Sequence, residues 1–347
     1  MHTKYFKNFN QKAFASLQTQ IESVASNSSP LWKGTVYIGT KPLYIECHIK
    51  WLADKINDYF IVALQDQHIK GAKEIYILNK EVKDFITAPT SIFSDLFFLG
   101  DDIFAKPDLI VNDDYILLRT TDKCFLSISE NTERHLLYLD ENHLLARLFY
   151  YIFEPHENMI LHSAVVAYGD YGILISGLSG SGKSTLSASC LSLGMDFVAD
   201  DKVALHIDNG ALYADPIYTV LSLKSPIDGI DAFVANQQTD SYKNVFVLDK
   251  SLFAKNIKIR AVIEPYKAYL DAPEILRTAK QSVITRICSD YSVFSVLTPN
   301  KNPIIDYKNI FNLFCGIDFY KINLSKSIRD NAQAIFDLAK TGGVNVQ

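Results

Sequence analysis

No stretch of this 347-residue chain approaches the roughly 20 consecutive apolar residues that a membrane-spanning helix needs. The most apolar long segment, residues 144–153, is interrupted by Arg147 and reads as a half-buried helix. The opening Met1-His-Thr-Lys-Tyr-Phe-Lys7 lacks the uninterrupted apolar core of a secretory leader. There is no C-x-x-C pair. The five cysteines (Cys47, Cys124, Cys190, Cys288, Cys315) are scattered and odd in number, which speaks against a disulfide frame or a cysteine zinc site and predicts reduced, mostly buried thiols. Runs of like charge are missing too. With 34 basic and 39 acidic residues the formal net charge is −5, so a nucleic-acid backbone is not an expected partner. These absences predict a soluble, cytoplasmic protein with no membrane span.

What is present is a chain of 48% apolar residues, long enough for two domains and a substantial core. Residues 11–25 place Phe14, Leu17, Ile21 and Val24 at helical spacing, and Asn27-Ser-Ser-Pro30 ends the pattern. From there to about 135, short β-rich runs dominate: 35–38 and 43–49 around a Gly39-Thr-Lys-Pro42 turn, then 59–64, 74–78, 115–119 and 124–129. Their close spacing predicts a small, mainly antiparallel β layer. Residues 134–139 read as a strand, and Asp140 as the N-cap of a helix that Pro155 stops. The expected organisation is a β-rich accessory domain with a leading helix over 1–139, a nucleotide-type domain over 140–340 and a frayed tail over 341–347. Within the second domain, 159–166, 195–199, 202–207, 257–263 and 319–324 read as strands, Asp215-Pro216 as a loop, and 272 onward and 327–339 as helices.

The segment Gly177-Leu-Ser-Gly-Ser-Gly-Lys183-Ser184 completes the pattern G-x-x-x-x-G-K-[ST]. The uncharged run 172–176 before it suits a buried strand, and 184–193 after it suits a helix ending at Gly194. Glycines let the backbone aim N–H groups at a polyphosphate, and a helix N-terminus adds partial positive charge at the same point. Lys183 is then expected to reach the β- and γ-phosphates, and Ser184 to give a hydroxyl to Mg²⁺.

A phosphate loop selects a donor and leaves the reaction to nearby carboxylates. Asp200 and Asp201 follow Lys183 after only 17 positions, room for one helix and one short strand. The spacing predicts that their strand returns beside the loop strand, with one aspartate for Mg²⁺ and the other for an acceptor hydroxyl. His162 is read near the centre of an apolar strand, where a histidine is commonly a satisfied core residue. The hairpin that this strand opens nevertheless delivers the chain straight into the loop strand.

Taken together, Leu161-His162-Ser-Ala-Val-Val166, Gly172-Ile-Leu-Ile-Ser-Gly177-Leu-Ser-Gly-Ser-Gly-Lys183-Ser184-Thr185 and Gly194-Met-Asp-Phe-Val-Ala-Asp200-Asp201-Lys-Val-Ala-Leu205 resemble the catalytic domain of HPr kinase/phosphorylase. They are more similar still to the HPr-kinase-like proteins found beside peptide-modification systems, including the lasso-peptide tail kinases. The dense part covers about 45 residues. The resemblance implies an α/β fold, an HPr-kinase/phosphoenolpyruvate-carboxykinase-like P-loop domain with a β-rich N-terminal domain, and transfer of a γ-phosphoryl group to a serine-type hydroxyl. By position it implies that Gly177, Ser179, Gly180, Ser181, Gly182, Lys183, Ser184 and Thr185 contact the nucleotide, that Ser184 holds the metal, and that Asp201 is a partner of the metal or of a lysine. It implies Asp200 as base, with the roles of Asp200 and Asp201 open to exchange, and His162 as support for the base or the transferring phosphate. ATP and Mg²⁺ are the implied cofactors, with GTP or pyrophosphate left open as donor, and homo-oligomers are implied as well.

One departure narrows the expectation. The bifunctional enzymes carry an R-G-L-G segment near a catalytic arginine, whereas the corresponding stretch here, 221–230, has no arginine. Phosphorylase activity and HPr as acceptor are therefore not expected. Arg260, Arg277 and Arg286 are the remaining candidates to neutralise phosphate charge. The leading expectation is a kinase acting on a serine/threonine-type hydroxyl of a peptide, protein or small metabolite. The alternative is a nucleotide-binding regulatory or adaptor protein with little or no transfer.

Overall fold

The computed structural model describes residues 11–61, 63–85, 108–111, 115–120, 122–131, 145, 148–149, 159–225, 227–239, 244–295 and 311–343. The strand expected over 134–139, nearly all of the helix expected after Asp140 and the end of the tail lie outside them. The chain divides into two compact units, one drawn mainly from the first 137 residues and one mainly from residue 138 onward.

The first unit opens with α1 (Gln11–Asn27), whose Leu17, Ile21 and Ala25 are buried at intervals of four, the helical period. They pack with Leu78, Ile116, Leu118 and Phe125. Its sheet comprises β1 (Trp32–Ile38), β2 (Lys41–Cys47), β3 (Ala63–Gln65), β4 (Lys73–Asn79), β5 (Asp108–Val111), β6 (Tyr115–Arg119) and β7 (Lys123–Ile128), in the order β3-β1-β2-β4-β7-β6-β5. Antiparallel pairs predominate, as expected, but not at the centre. β2–β4 and β4–β7, at the centre, are parallel, with antiparallel pairs β1–β3, β6–β7 and β5–β6 outside them. Parallel neighbours require a crossover, and between β2 and β4 the chain forms α2 (Lys50–Tyr59). Leu52, Ile56 and Tyr59 face inward at helical spacing, so the β run expected over 59–64 shrinks to the three residues of β3.

The second unit contains β8 (Met159–Leu161), β9 (Ala164–Tyr168), β10 (Tyr171–Ile175), α3 (Lys183–Ser192), β11 (Asp196–Ala199), β12 (Val203–Asp208) and β13 (Ala211–Pro216). Next come β14 (Val220–Leu223), β15 (Val234–Thr239), β16 (Asn244–Leu248), β17 (Ile257–Leu270), β18 (Glu274–Arg277), α4 (Lys280–Ser295), β19 (Asp318–Ser325) and α5 (Ile328–Thr341). Nine strands form one sheet in the order β11-β9-β10-β17-β13-β12-β8, with β19 pairing β17 and β18; β14, β16 and β15 form a separate small sheet. Asp215-Pro216 closes β13 rather than lying in a loop, and the helix expected from 272 starts only at Lys280, after the extended β18.

The pattern of buried residues assigns the two faces of the large sheet. Ile173 and Ile175 of β10, Ala261 and Ile263 of β17, and Tyr320 and Ile322 of β19 pack with Leu186 and Cys190 of α3 and with Ile335 and Leu338 of α5. The alternate residues Leu174 and Val262, also buried, belong to the opposite face. Glu264 continues that second face and pairs with Arg286, so α4 lies there. Backbones of β10 and β17 approach closely at Gly172, where a Cβ would sit 2.7 Å from the Lys258 carbonyl oxygen and from Ile257 Cγ2. At its far end α3 closes as the sequence predicts: Gly194 takes φ 85° and donates to Leu191 O, and Met195 N–H reaches Cys190 O. This paired closure satisfies carbonyls that the helix would leave open.

Cys47, Cys124, Cys190 and Cys288 are buried free thiols and Cys315 is exposed. Burial pushes the Cys47 thiol up to about 12, so it stays protonated. Among the described residues no helix is long and apolar enough to cross a membrane.

Candidate active site

The site is built where three separate turns leave one edge of the large sheet. β9 runs antiparallel to both β10 and β11, with Ile175 opposite Ala164 and Ala199 opposite Val165. The end of β10, the start of β9 and the end of β11 therefore share an edge. The glycine loop, His162 and the Asp200-Asp201 pair are all carried to it. The expectation that the aspartate strand pairs with the loop strand is corrected, because β9 lies between them. Since β9 opposes both neighbours, β10 and β11 still point the same way, and the expected convergence survives the extra strand.

His162 also sits differently from its expected place. The run 159–166 breaks into β8, which pairs with β12, and β9, which pairs with β10 and β11. His162 and Ser163 form the corner between them, so the histidine stands at a strand end instead of inside the sheet.

Ser176 opens the loop by donating its N–H to the Ile263 carbonyl at 3.0 Å. Gly180 and Gly182 take φ of 78° and 107°, angles that L side chains rarely adopt. Gly177 is needed for a different reason: a Cβ there would lie 3.0 Å from Ser181 Oγ and 3.4 Å from Pro265 Cδ. Ser179 and Gly180 are exposed at the tip, while Ser184 and Thr185 are half-buried in the first turn of α3. No side chain caps the N-terminus of α3 at Gly182. Its first N–H groups are thus directed at the loop, an arrangement that suits an oxyanion. The Lys183 side chain is buried within the loop, donating to the carbonyls of Gly177 at 2.7 Å and Leu178 at 3.3 Å.

At the end of β11 the chain makes a tight turn. Lys202 N–H bonds Asp200 O at 2.8 Å, with Asp201 between them at φ 66°. A three-residue turn with positive φ is strained, and strain of this kind is retained where surrounding contacts hold it. Here the two aspartates are turned toward different partners. Asp200 is buried and accepts a hydrogen bond from Ser187 Oγ at 3.4 Å. Ser187 lies one turn along α3 from Ser184, on the same helix face. Asp201 Oδ1 is 2.9 Å from His162 Nε2, and its Oδ2 is 3.5 Å from Nζ of the buried Lys202.

Burial holds the His162 imidazole below its ordinary value, outweighing the contact with Asp201, and the charges of Lys202 and Lys183 act in the same direction as burial. The influence of Lys183 on His162 ties the loop and the Asp-His pair together electrostatically.

Comparisons with known proteins add little to this geometry. No protein-family model matches the chain, and no curated protein matches it. Among solved structures, the chain has a distant likeness to the Hpr(Ser) kinase/phosphatase from Coxiella burnetii, at 17% identity, 52% coverage of this chain and 94% of that one. The TM-score is 0.28. Overlap of that depth establishes neither a shared fold nor a shared activity.

The structure also sorts the three candidate arginines. Arg260 stands 3.8 Å from Asp170, in the turn at the opposite edge of the sheet, and both side chains are exposed. Arg277 reaches Asp318, at the start of β19, at 3.7 Å. Arg286 alone of the three is drawn to the edge that carries the loop, through Glu264, the residue after Ile263. Sequence reasoning did not single out Lys202, Ser187 or Glu264. The first two could have been found from their places directly after Asp201 and one turn after Ser184. Glu264 carries no local signal and emerges only from the β10–β17 register.

Proposed function

We propose that this protein is an ATP- and Mg²⁺-dependent phosphotransferase acting on a serine/threonine-type hydroxyl of a peptide, protein or small metabolite. The observation that carries the reading is the placing, at one sheet edge, of a complete glycine loop with its buried lysine beside the buried Asp200 and the half-buried Asp201 and His162. A protein that only bound a nucleotide would have no use for the second half of that arrangement.

In the proposed reaction the loop N–H groups and Lys183 hold the polyphosphate in line with the acceptor. Asp200 and Asp201 divide two tasks, metal carboxylate and proton acceptor. The residues fit Mg²⁺: a half-buried Ser184 hydroxyl and a carboxylate reached through Ser187, with no cluster of three His, Cys, Asp or Glu side chains among the described residues. Such a sparse donor set suits an ion whose shell is completed by substrate phosphates. When bound, the ion supplies neutralisation of phosphate charge. As the acceptor oxygen bonds to the γ-phosphorus, the bond to the β,γ-bridging oxygen breaks, ADP departs, and the hydroxyl proton passes to the aspartate. His162, kept neutral by burial, orients Asp201 by donating to it from Nε2.

The test is incubation of the purified chain with labelled ATP and a library of peptide, protein and small-molecule hydroxyl acceptors, followed by mass spectrometry. Phosphate transfer that disappears with Lys183→Ala supports the reading. Tight nucleotide binding without transfer to any acceptor, unchanged by Asp200→Asn, overturns it in favour of a nucleotide-sensing adaptor.

A further inference from the structure

Arg286 is buried in an unusual way. Its Nη1 donates to Glu264 Oε1, yet Nε and Nη2 are fully buried and have no hydrogen-bond partner among the described residues. In a guanidinium these two nitrogens present parallel N–H bonds along one side, the fork that matches two oxygens of a carboxylate or phosphoryl group. Glu264 therefore takes one end of the group and leaves a complete bidentate fork unused. Leaving charged donors buried without acceptors costs more than the single ion pair returns. An orphaned buried group of this kind implies an acceptor supplied from elsewhere.

The fold shows where that acceptor would come from. β10 and β17 are parallel neighbours, and after β10 the chain crosses through the glycine loop to α3 on one face, while Arg286 comes from α4 on the other. β10 ends at Ile175, whereas β17 runs on to Leu270 and reaches α4 only through β18, so the glycine loop leaves the sheet beside the middle of β17. Arg286 is anchored beside the start of the loop, because Glu264 follows Ile263, whose carbonyl holds Ser176. α4 also packs against β8, the strand that ends just before His162.

We infer that the Nε–Nη2 fork of Arg286, held in place by Glu264, binds the terminal phosphoryl group of a polyphosphate whose inner phosphates occupy the glycine loop. The site takes a tetrahedral oxyanion and approaches it from the face opposite Lys183. The inference rests on the nucleotide reading for the identity of the anion. The pairing of Arg286 with Glu264 and its unused fork do not depend on it.

The experiment is titration calorimetry of ATP, ADP, pyrophosphate and inorganic phosphate against the full-length protein, Arg286→Lys and Glu264→Gln, with thermal unfolding as a control for folding. Arg286→Lys keeps the charge and removes the fork. It is expected to weaken ATP binding about tenfold or more and ADP binding less than about twofold, since a charge-assisted bidentate contact is lost only at the terminal group. Glu264→Gln keeps the fork and loosens its anchor, so it should move ATP binding in the same direction by a smaller factor. It also carries the test if Arg286→Lys does not fold. Equal losses for ATP and ADP, or no loss for ATP, overturn the inference. If the unaltered protein binds no nucleotide, the phosphotransferase reading fails separately. Phosphate or pyrophosphate bound by that protein and lost in Arg286→Lys then upholds the oxyanion fork, and anion binding by neither overturns it.

Discussion

The two edges of the large sheet carry similar residues and treat them in opposite ways. At the edge where β9 turns into β10, Asp170 is 94% exposed, and its partner Arg260 is 44% exposed and 3.8 Å away. Water screens such a pair, and its contribution to stability is close to nothing. At the other edge Asp200, Lys202 and Lys183 are almost wholly enclosed, and Arg286 is 17% exposed. Burying charge is expensive unless each group is held by others. One edge is thus an ordinary solvated turn. The other concentrates buried charge, a positive-φ aspartate and a left-handed glycine loop, the combination found where stability gives way to chemistry.

That contrast can be broken most directly at Lys183. Lys183→Ala is expected to reduce phosphate transfer by about a thousandfold, the scale of losing a principal charge-stabilising group. Thermal unfolding should be nearly unchanged, and a parallel collapse of folding would show that the buried lysine is structural. Next in size, Asp200→Asn and Asp201→Asn should each lower transfer by about a hundredfold. Measuring the Mg²⁺ requirement of each variant separates the carboxylate that binds metal, whose requirement rises, from the one that takes the proton.

A smaller effect concerns pH. His162 has a folded value below its ordinary 6.5, so its contribution to stability is fully present above about 6.5 and is lost as pH falls toward the lower folded value. Denaturant unfolding across this range should show declining stability below pH 6.5, and His162→Gln should flatten that decline. Identical curves for both proteins would remove His162 from the account. The smallest effects are expected at the solvated edge: Arg260→Gln and Arg277→Gln should each change stability by less than about 0.5 kcal/mol and leave transfer within about twofold. A large loss in either would contradict the division between the edges.

Much of the site was legible because its signals are local. The glycine loop, the Gly194 helix closure and the Asp200-Asp201 pair each sit within a few residues of the element they terminate, and each appears where the sequence put it. Errors arose where pairing decided the outcome. Residues 159–166 look like one apolar strand, yet two different partners divide them at His162. The stretch 50–59 carries helical spacing, but the surrounding β runs concealed it until the parallel β2–β4 pair demanded a crossover. The strand β18 was masked by the helix that follows it closely in sequence.

By itself, the sequence determined that the chain carries a glycine loop between a strand and a helix, a nearby pair of carboxylates and a histidine, because glycine conformations, helix ends and turn residues act over a handful of positions. Only the tertiary structure decided that β9 stands between the loop strand and the aspartate strand, that His162 turns a corner onto Asp201, and that Arg286 rather than Arg260 or Arg277 reaches the same edge. Strand order and register arise from contacts between residues far apart in sequence. No local period records which edge of a sheet a distant side chain will meet.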